Sequence, residues 1–272
     1  MSQVDDVYNL TPSEFRKYID RIFIKLIRRD KPTRDNLAVI IYGTPGAGKT
    51  SGTKTFLKDK FGTKTKKKFL IIDRDELTFD YTYYFDRMNE FFKRNKITDP
   101  NVINSSKYQK TDKSKKYFNL LSQHLSQGNQ IMFALLDKAI KENYNVIIYD
   151  PPYNLRLSGT DWPDPNSPEG YTFHLVYMYT PLEKVKNHLK SRNKKNYIVL
   201  SDRALRRLTV NTLSDFTYFC LDKKTDIKSC SVIDNSKSKS KMTVMKDWDF
   251  IYHFQPSQQE YTGKNYEFIN YQ

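Results

Sequence analysis

The chain has 272 residues, enough to bury a core without disulfides or metal and to form one or two domains. Hydrophobic residues make up 38% and charged residues 28%, which excludes a disordered or fibrous chain. Lys and Arg number 46 against 31 Asp and Glu, a formal net charge of +15 that favours nucleic acid, nucleotide phosphates or another anionic surface as partner.

The first element in chain order is a helix over residues 11–28. Thr11-Pro12-Ser13-Glu14 is a capping box with Pro at the first helical position. Phe15, Tyr18, Ile19, Ile22, Leu26 and Ile27 follow at helical spacing, with Arg16, Lys17, Arg21 and Lys25 on the other side. After a turn at 30–36, Leu37–Tyr42 is apolar throughout and predicts a buried strand. Residues 69–72, 146–149 and 173–179 repeat this pattern, each run meeting a polar residue at its carboxyl end, Asp73, Asp150 and Thr180. Helix-sized segments at 50–60 and 131–142 lie between them. Strands alternating with helices predict an α/β fold with a mainly parallel sheet and a ligand at the carboxyl ends of the strands.

Other stretches are less regular. Residues 93–116 are polar and Lys-rich and predict an insertion or a loop joining helices. Residues 222–241, rich in Ser, Lys and Asp, predict a flexible segment, and 248–254 alternates as a late edge strand would. Runs such as Leu37–Tyr42 are far short of the roughly 20 residues that a bilayer span needs. Residues 1–10 carry two Asp and no basic n-region. The expectation is a cytoplasmic protein (host cytoplasm if viral) without a membrane partner. Cys220 and Cys230 lack zinc-type spacing and are too few for a disulfide framework, so both are expected as packed or partly exposed thiols. The four histidines, His124, His174, His188 and His253, form no ligand cluster and read as structural.

Gly43-Thr44-Pro45-Gly46-Ala47-Gly48-Lys49-Thr50 fits G-x-x-x-x-G-K-[ST] at every constrained position. Chance would produce such a match in roughly one chain of this length in a hundred. Its place between a buried strand and a helix is what the mechanism demands. The glycines let backbone N–H groups turn toward phosphate oxygens, and the helix adds its positive end, with Ser51 in its first turn. Lys49 would bridge the β- and γ-phosphates of ATP, and Thr50 would ligate Mg²⁺. Neither Ile72-Asp73-Arg74-Asp75-Glu76 nor Tyr149-Asp150-Pro151-Pro152 puts Asp-Glu directly at a strand end, as motor ATPases usually do, and G-protein base-reading motifs are absent. A kinase for a small substrate or a polynucleotide remains. In such an enzyme one of Asp73 and Asp75 takes the proton of the attacking hydroxyl while another acid positions Mg²⁺. A basic helix at 181–195 and a segment from Ser201, its cap, carry Arg192, Arg203 and Arg206. They bracket a short loop of the kind that forms a lid.

On these motifs the chain resembles the zeta toxin and UDP-N-acetylglucosamine kinase family of phosphate-loop kinases, over roughly residues 37–208. The resemblance implies the three-layer α/β/α fold of phosphate-loop NTPases, with the kinase core at 37–210 and an Arg-bearing lid at about 181–208. Residues 1–36 are then an N-terminal helical extension and 211–272 a C-terminal one. It makes Asp75 the general base, leaves Asp73 with the metal, and places Arg192 and Arg203 on the phosphates, with Arg206 in reserve. Two departures concern the acceptor. The family's acidic residue before the third strand falls on Phe133, and its Glu-Gly-Thr is replaced by Asp150-Pro151-Pro152. The acceptor hydroxyl is therefore left open between a nucleotide sugar and a nucleic acid 5′-end, the latter suiting the basic surface.

Two alternatives stand beside this reading. Asp150-Pro151-Pro152-Tyr153 resembles the motif with which amino-methyltransferases hold an extruded adenine; Gly46-Ala47-Gly48 and Asp73 would then serve S-adenosylmethionine. The chain could also be a non-catalytic nucleotide-binding protein that keeps the loop. Tyr81-Thr82-Tyr83-Tyr84-Phe85 would either line an acceptor pocket or pack in the core, and the Lys-rich stretches at 64–68 and 107–116 either track a phosphate backbone or form solvated turns.

Overall fold

The helix at the N-terminus, α1 (Pro12–Asp30), opens with the expected reciprocal box. The Glu14 N–H donates to the Thr11 hydroxyl, and the Thr11 N–H donates to the Glu14 carboxylate at 2.8 Å. The chain continues through β1 (Leu37–Tyr42), α2 (Lys49–Phe61), β2 (Leu70–Asp73), α3 (Arg74–Tyr81), α4 (Tyr84–Arg94), a 3₁₀ turn (Pro100–Asn104) and α5 (Asp112–Lys141). Then come β3 (Val146–Tyr149), β4 (Thr172–Tyr179), α6 (Leu182–Asn196), α7 (Asp202–Leu221), β5 (Ile227–Asp234) and β6 (Thr243–Met245). The computed structural model describes residues 6–63, 65–105, 107–108, 110–149, 171–221, 227–236 and 242–245. The motif at 150–153 and the late strand expected at 248–254 lie outside these residues. Among the described residues no helix is long and apolar enough to cross a membrane.

The sheet runs β2-β3-β1-β4-β5-β6, with the first five strands parallel and β6 antiparallel to β5. Helices cover both faces of the parallel strands, which is why β1 is apolar and buried at every position. Alternate residues serve opposite layers. Ala38, Ile40 and Tyr42 pack with α1, α5 and α7 through Ile22, Leu135 and Phe216. Val39, Ile41, Val176 and Met178 pack against Phe56 of α2. The result is the expected three-layer α/β/α fold. Its register matters for the site: Asp73 pairs with Tyr149, and Tyr149 with Ile41. The ends of β2 and β1 are thus level and two strands apart, roughly 10 Å at ordinary strand spacing.

Three expectations give way. Helix α5 starts at Asp112, capped by the Thr111 hydroxyl, well before residue 131. Its first half packs against α4 around Tyr117 and Leu121 instead of the sheet, so its apolar stripe is narrow and its polar composition masks it. The segment at 222–241 contributes β5, whose Val232 and Ile233 are buried beside β4; only the inner end of this strand needs apolar side chains. Cys220 and Cys230 form a disulfide between the end of α7 and β5, their Cα atoms 5.9 Å apart. That distance exists because α7 returns antiparallel to the strand, which spacing alone does not reveal.

Gly128 sets how closely α5 approaches α3. A Cβ there would lie 2.0 Å from Thr78 Oγ1 and 3.2 Å from the Arg74 carbonyl oxygen, and the Thr78 hydroxyl is itself held by that carbonyl at 2.9 Å. Alanine favours a helix by about 1 kcal/mol over glycine. Gly128→Ala is nonetheless expected to lower the unfolding free energy by about 1–3 kcal/mol in urea titration, as overpacking against fixed neighbours does. A more stable variant would show that α3 and α5 separate freely.

Candidate active site

Between β1 and α2 the chain turns through Gly43, Thr44, Pro45, Gly46, Ala47 and Gly48 into Lys49 and Thr50. A Cβ at Gly43, where φ is +144°, would lie 3.1 Å from the Met178 carbonyl oxygen. Gly48, at φ +86°, opens α2 without a side-chain cap. The first N–H groups of α2 therefore meet no capping side chain, and the positive end of the helix dipole faces the loop. Lys49 folds back across the loop and donates to the Gly43 and Thr44 carbonyls at 3.1 and 3.2 Å. Thr50 is exposed and Ser51 half-buried in the first turn of α2.

Asp73 and Asp75 diverge at the end of β2. Asp73 caps α3, its Oδ1 accepting from the Asp75 N–H at 2.9 Å and the Glu76 N–H at 3.4 Å. Asp75 turns inward and is 7% exposed. Its Oδ2 accepts from Arg192 Nη2 at 2.5 Å, and its Oδ1 lies 3.3 Å from Arg74 Nη2. Burial on its own would raise the Asp75 carboxyl, but the charges of Arg74, Arg192 and Lys49 outweigh it and hold the group below its ordinary value of 3.8. Lys49, Asp75 and Arg192 thus belong to one charged cluster. Arg203 is exposed in the first turn of α7, and no hydrogen bond or ion pair joins it to that cluster among the described residues. Arg206, one turn on, is also exposed.

The segment between α6 and α7 is braced by α4, α5 and the 3₁₀ turn between them. Ile198 and Val199 are buried. Tyr117 Oη donates to the Tyr197 carbonyl at 2.5 Å and accepts from the Val199 N–H at 2.8 Å. Tyr84 Oη donates to the Asn196 carbonyl at 2.7 Å, and Asn104 Nδ2 to the Leu200 carbonyl at 2.6 Å. Tyr81 and Tyr84 are fully buried and Phe79, Tyr84 and Phe85 pack ring to ring, so these residues of the aromatic run build core, while Tyr83 is exposed. Phe133 packs at the edge of the main core.

Four residues around the loop were given no site role from the sequence: Thr180, Lys184, His188 and Asn235. The signal on α6 was legible, because Lys184, His188 and Arg192 recur at i, i+4 and i+8 and so share one face. His188, read as structural, bonds the Gly46 carbonyl through Nδ1 at 2.9 Å. Asn235 stands just beyond a strand that the composition hid.

No family model and no curated protein matches the sequence. Among solved structures, a chain of the PezAT chromosomal toxin–antitoxin system of Streptococcus pneumoniae is similar, with TM-score 0.53 and 18% identity over 85% of this chain and 79% of that one. A chain of the Pnkp1/Rnl/Hen1 RNA repair complex matches with TM-score 0.38 and 14% identity over 71% of this chain and 49% of that one. The first likeness is one of fold, and in fold it agrees with the resemblance read from the motifs.

The lowered Asp75 value has a consequence for stability. A carboxyl whose folded value lies below its unfolded one stabilises fully above about pH 4, and the contribution is lost as pH falls through the folded value. At pH 7, Asp75→Asn is expected to lose about 1–3 kcal/mol of unfolding free energy, since Arg192 and Arg74 lose a charged acceptor. The difference from the unaltered protein should shrink steadily below pH 4 in urea titrations. A difference that stays constant down to pH 2.5 would mean that Asp75 is not held ionised.

Proposed function

We propose that the chain is an ATP-dependent phosphotransferase that moves the γ-phosphate of ATP to a hydroxyl, on a nucleotide sugar or at a nucleic acid 5′-end. The observation that carries this reading is the meeting of a phosphate-loop lysine, a buried ionised carboxylate and a helix-borne arginine: Lys49, Asp75 and Arg192. The fold supports it by placing the loop and Asp75 at the same end of the parallel strands.

In this reading the amides of residues 43–51 receive the phosphates, and Lys49 leaves the loop carbonyls to span the β- and γ-phosphates. Asp75 accepts the proton of the acceptor hydroxyl. For that, Arg192 exchanges the carboxylate for the phosphoryl oxygens, which neutralises the group in transfer and restores proton affinity to Asp75. Arg203 serves as the second lid arginine. Thr50 and Asp73 offer a hydroxyl and a carboxylate, the hard oxygens that Mg²⁺ takes alongside phosphates. When bound, Mg²⁺ supplies charge neutralisation across the phosphates. Contact with a nucleic acid acceptor would run through the basic surface.

Strand order weighs against the methyltransferase alternative. A ribose carboxylate at the end of the second strand needs β2 beside β1, as in dinucleotide folds, whereas β3 lies between them here.

The test is transfer from γ-labelled ATP, with Mg²⁺, to UDP-amino sugars, nucleosides and 5′-hydroxyl oligonucleotides. Label is expected on one acceptor class, with Lys49→Ala reducing transfer by about a hundredfold or more. ATP binding without transfer or hydrolysis would instead identify a non-catalytic nucleotide-binding protein.

A further inference from the structure

The carbonyl side of the phosphate loop is as closely specified as its amide side. Ala47 O accepts from Thr180 Oγ1 at 2.8 Å and from Asn235 Nδ2 at 2.9 Å. Ala47 and Asn235 are 0% exposed and Thr180 4%, so this carbonyl has no solvent to turn to. The Asn235 amide cannot turn either. Lys184 Nζ donates to its Oδ1 at 3.1 Å and to its main-chain oxygen at 2.7 Å. The Asn235 N–H donates to the Tyr179 carbonyl at 2.8 Å. With Oδ1 committed to the lysine, Nδ2 faces the loop. Its second contact, at 3.2 Å, is to Thr180 Oγ1, which accepts there while donating to Ala47. One residue earlier, His188 Nδ1 meets the Gly46 carbonyl at 2.9 Å. Two successive carbonyls are thereby drawn to the same outer side.

A trans peptide is planar, so its C=O and N–H point in opposite directions. Fixing Ala47 O outward fixes the Gly48 N–H inward, onto the side where the loop curves around its ligand. A rotated 47–48 peptide would present a carbonyl dipole to the phosphates and repel them. Gly48 itself packs directly on this support, since a Cβ there would lie 3.0 Å from Asn235 Nδ2.

We propose that Thr180 and Asn235 are positioning residues that set the Gly48 amide toward the nucleotide phosphates by holding the Ala47 carbonyl outward. The inference rests on the reading of residues 43–51 as a phosphate cradle and deepens it. The two groups come from the ends of β4 and β5, so the sheet itself orients the loop, and Lys184 and His188 extend the support along α6.

The test is the affinity for Mg·ATP by calorimetry, with thermal denaturation in parallel, for the unaltered protein and four variants. Thr180→Val keeps shape and removes only the hydroxyl, and is expected to weaken binding about three- to tenfold. Asn235→Ala should weaken it by about tenfold, and the double variant by more than either. Thr180→Ser restores the donor and should bind like the unaltered protein. Equal affinity in Thr180→Val and Asn235→Ala would overturn the proposal. So would equal losses in Thr180→Ser and Thr180→Val, which would mark a packing role. If the unaltered protein binds no ATP, the cradle reading fails first and this inference with it; if it binds and the variants bind equally, this inference alone fails.

Discussion

A carboxylate taken out of water must be compensated, and the burial of Asp75 imposes that demand on several elements at once. Arg74 answers from the same helix and Arg192 from α6, while Lys49 adds its charge from the start of α2. The three helices that supply these charges, α2, α3 and α6, are nowhere consecutive elements of the chain. They converge because the parallel strands end level, placing the β1 loop and the β2 turn at the same end of the strands. The charge that suits Asp75 to the proposed role of base is thus also a tie between α3, α2 and α6.

The tie has value only if α6 is itself held, and α4, α5 and the turn between them supply that support. Tyr84, Asn104 and Tyr117 bind four backbone groups of residues 196–200, and the aromatic cluster around Tyr84, Phe92 and Tyr117 buries Ile198 and Val199 against them. Arg192 therefore reaches Asp75 from a braced helix rather than a free loop. The same helix presents Lys184 and His188 to the residues that shape the phosphate loop. Loop, carboxylate and arginine are consequently referenced to one braced helix, and the proposed phosphoryl transfer would need such geometric precision.

Much of this was legible in the chain. The loop motif, the capping box at Thr11 and the apolar strands β1 and β3 are local patterns whose physics is complete within a few residues. Asp75 could be singled out as a candidate, because it closely follows a strand end beyond the glycine-rich loop, but its burial against Arg192 depends on tertiary packing. What could not be read depends on the return of distant segments. The first half of α5 packs on another helix, so its polar composition resembles a loop. β5 needs apolar residues only where β4 covers it, and Asn235 just beyond it carries no mark of its contact with the loop. The disulfide between Cys220 and Cys230 follows from the path of α7 over the sheet. Arg203 was singled out on equal terms with Arg192, yet of the two only Arg192 meets the buried carboxylate, while Arg203 lies exposed on a different helix, α7.

The most direct measurement of the central claim pairs Mg·ATP affinity with single-turnover phosphoryl transfer in Asp75→Asn. The substitution keeps shape and removes the charge that Arg192, Arg74 and Lys49 surround. The account predicts ATP affinity within about threefold of the unaltered protein and transfer slowed by about a hundredfold or more, the scale expected for loss of a general base. Transfer at an unchanged rate would contradict it, because the carboxylate on which the site is built would then have no part in the chemistry.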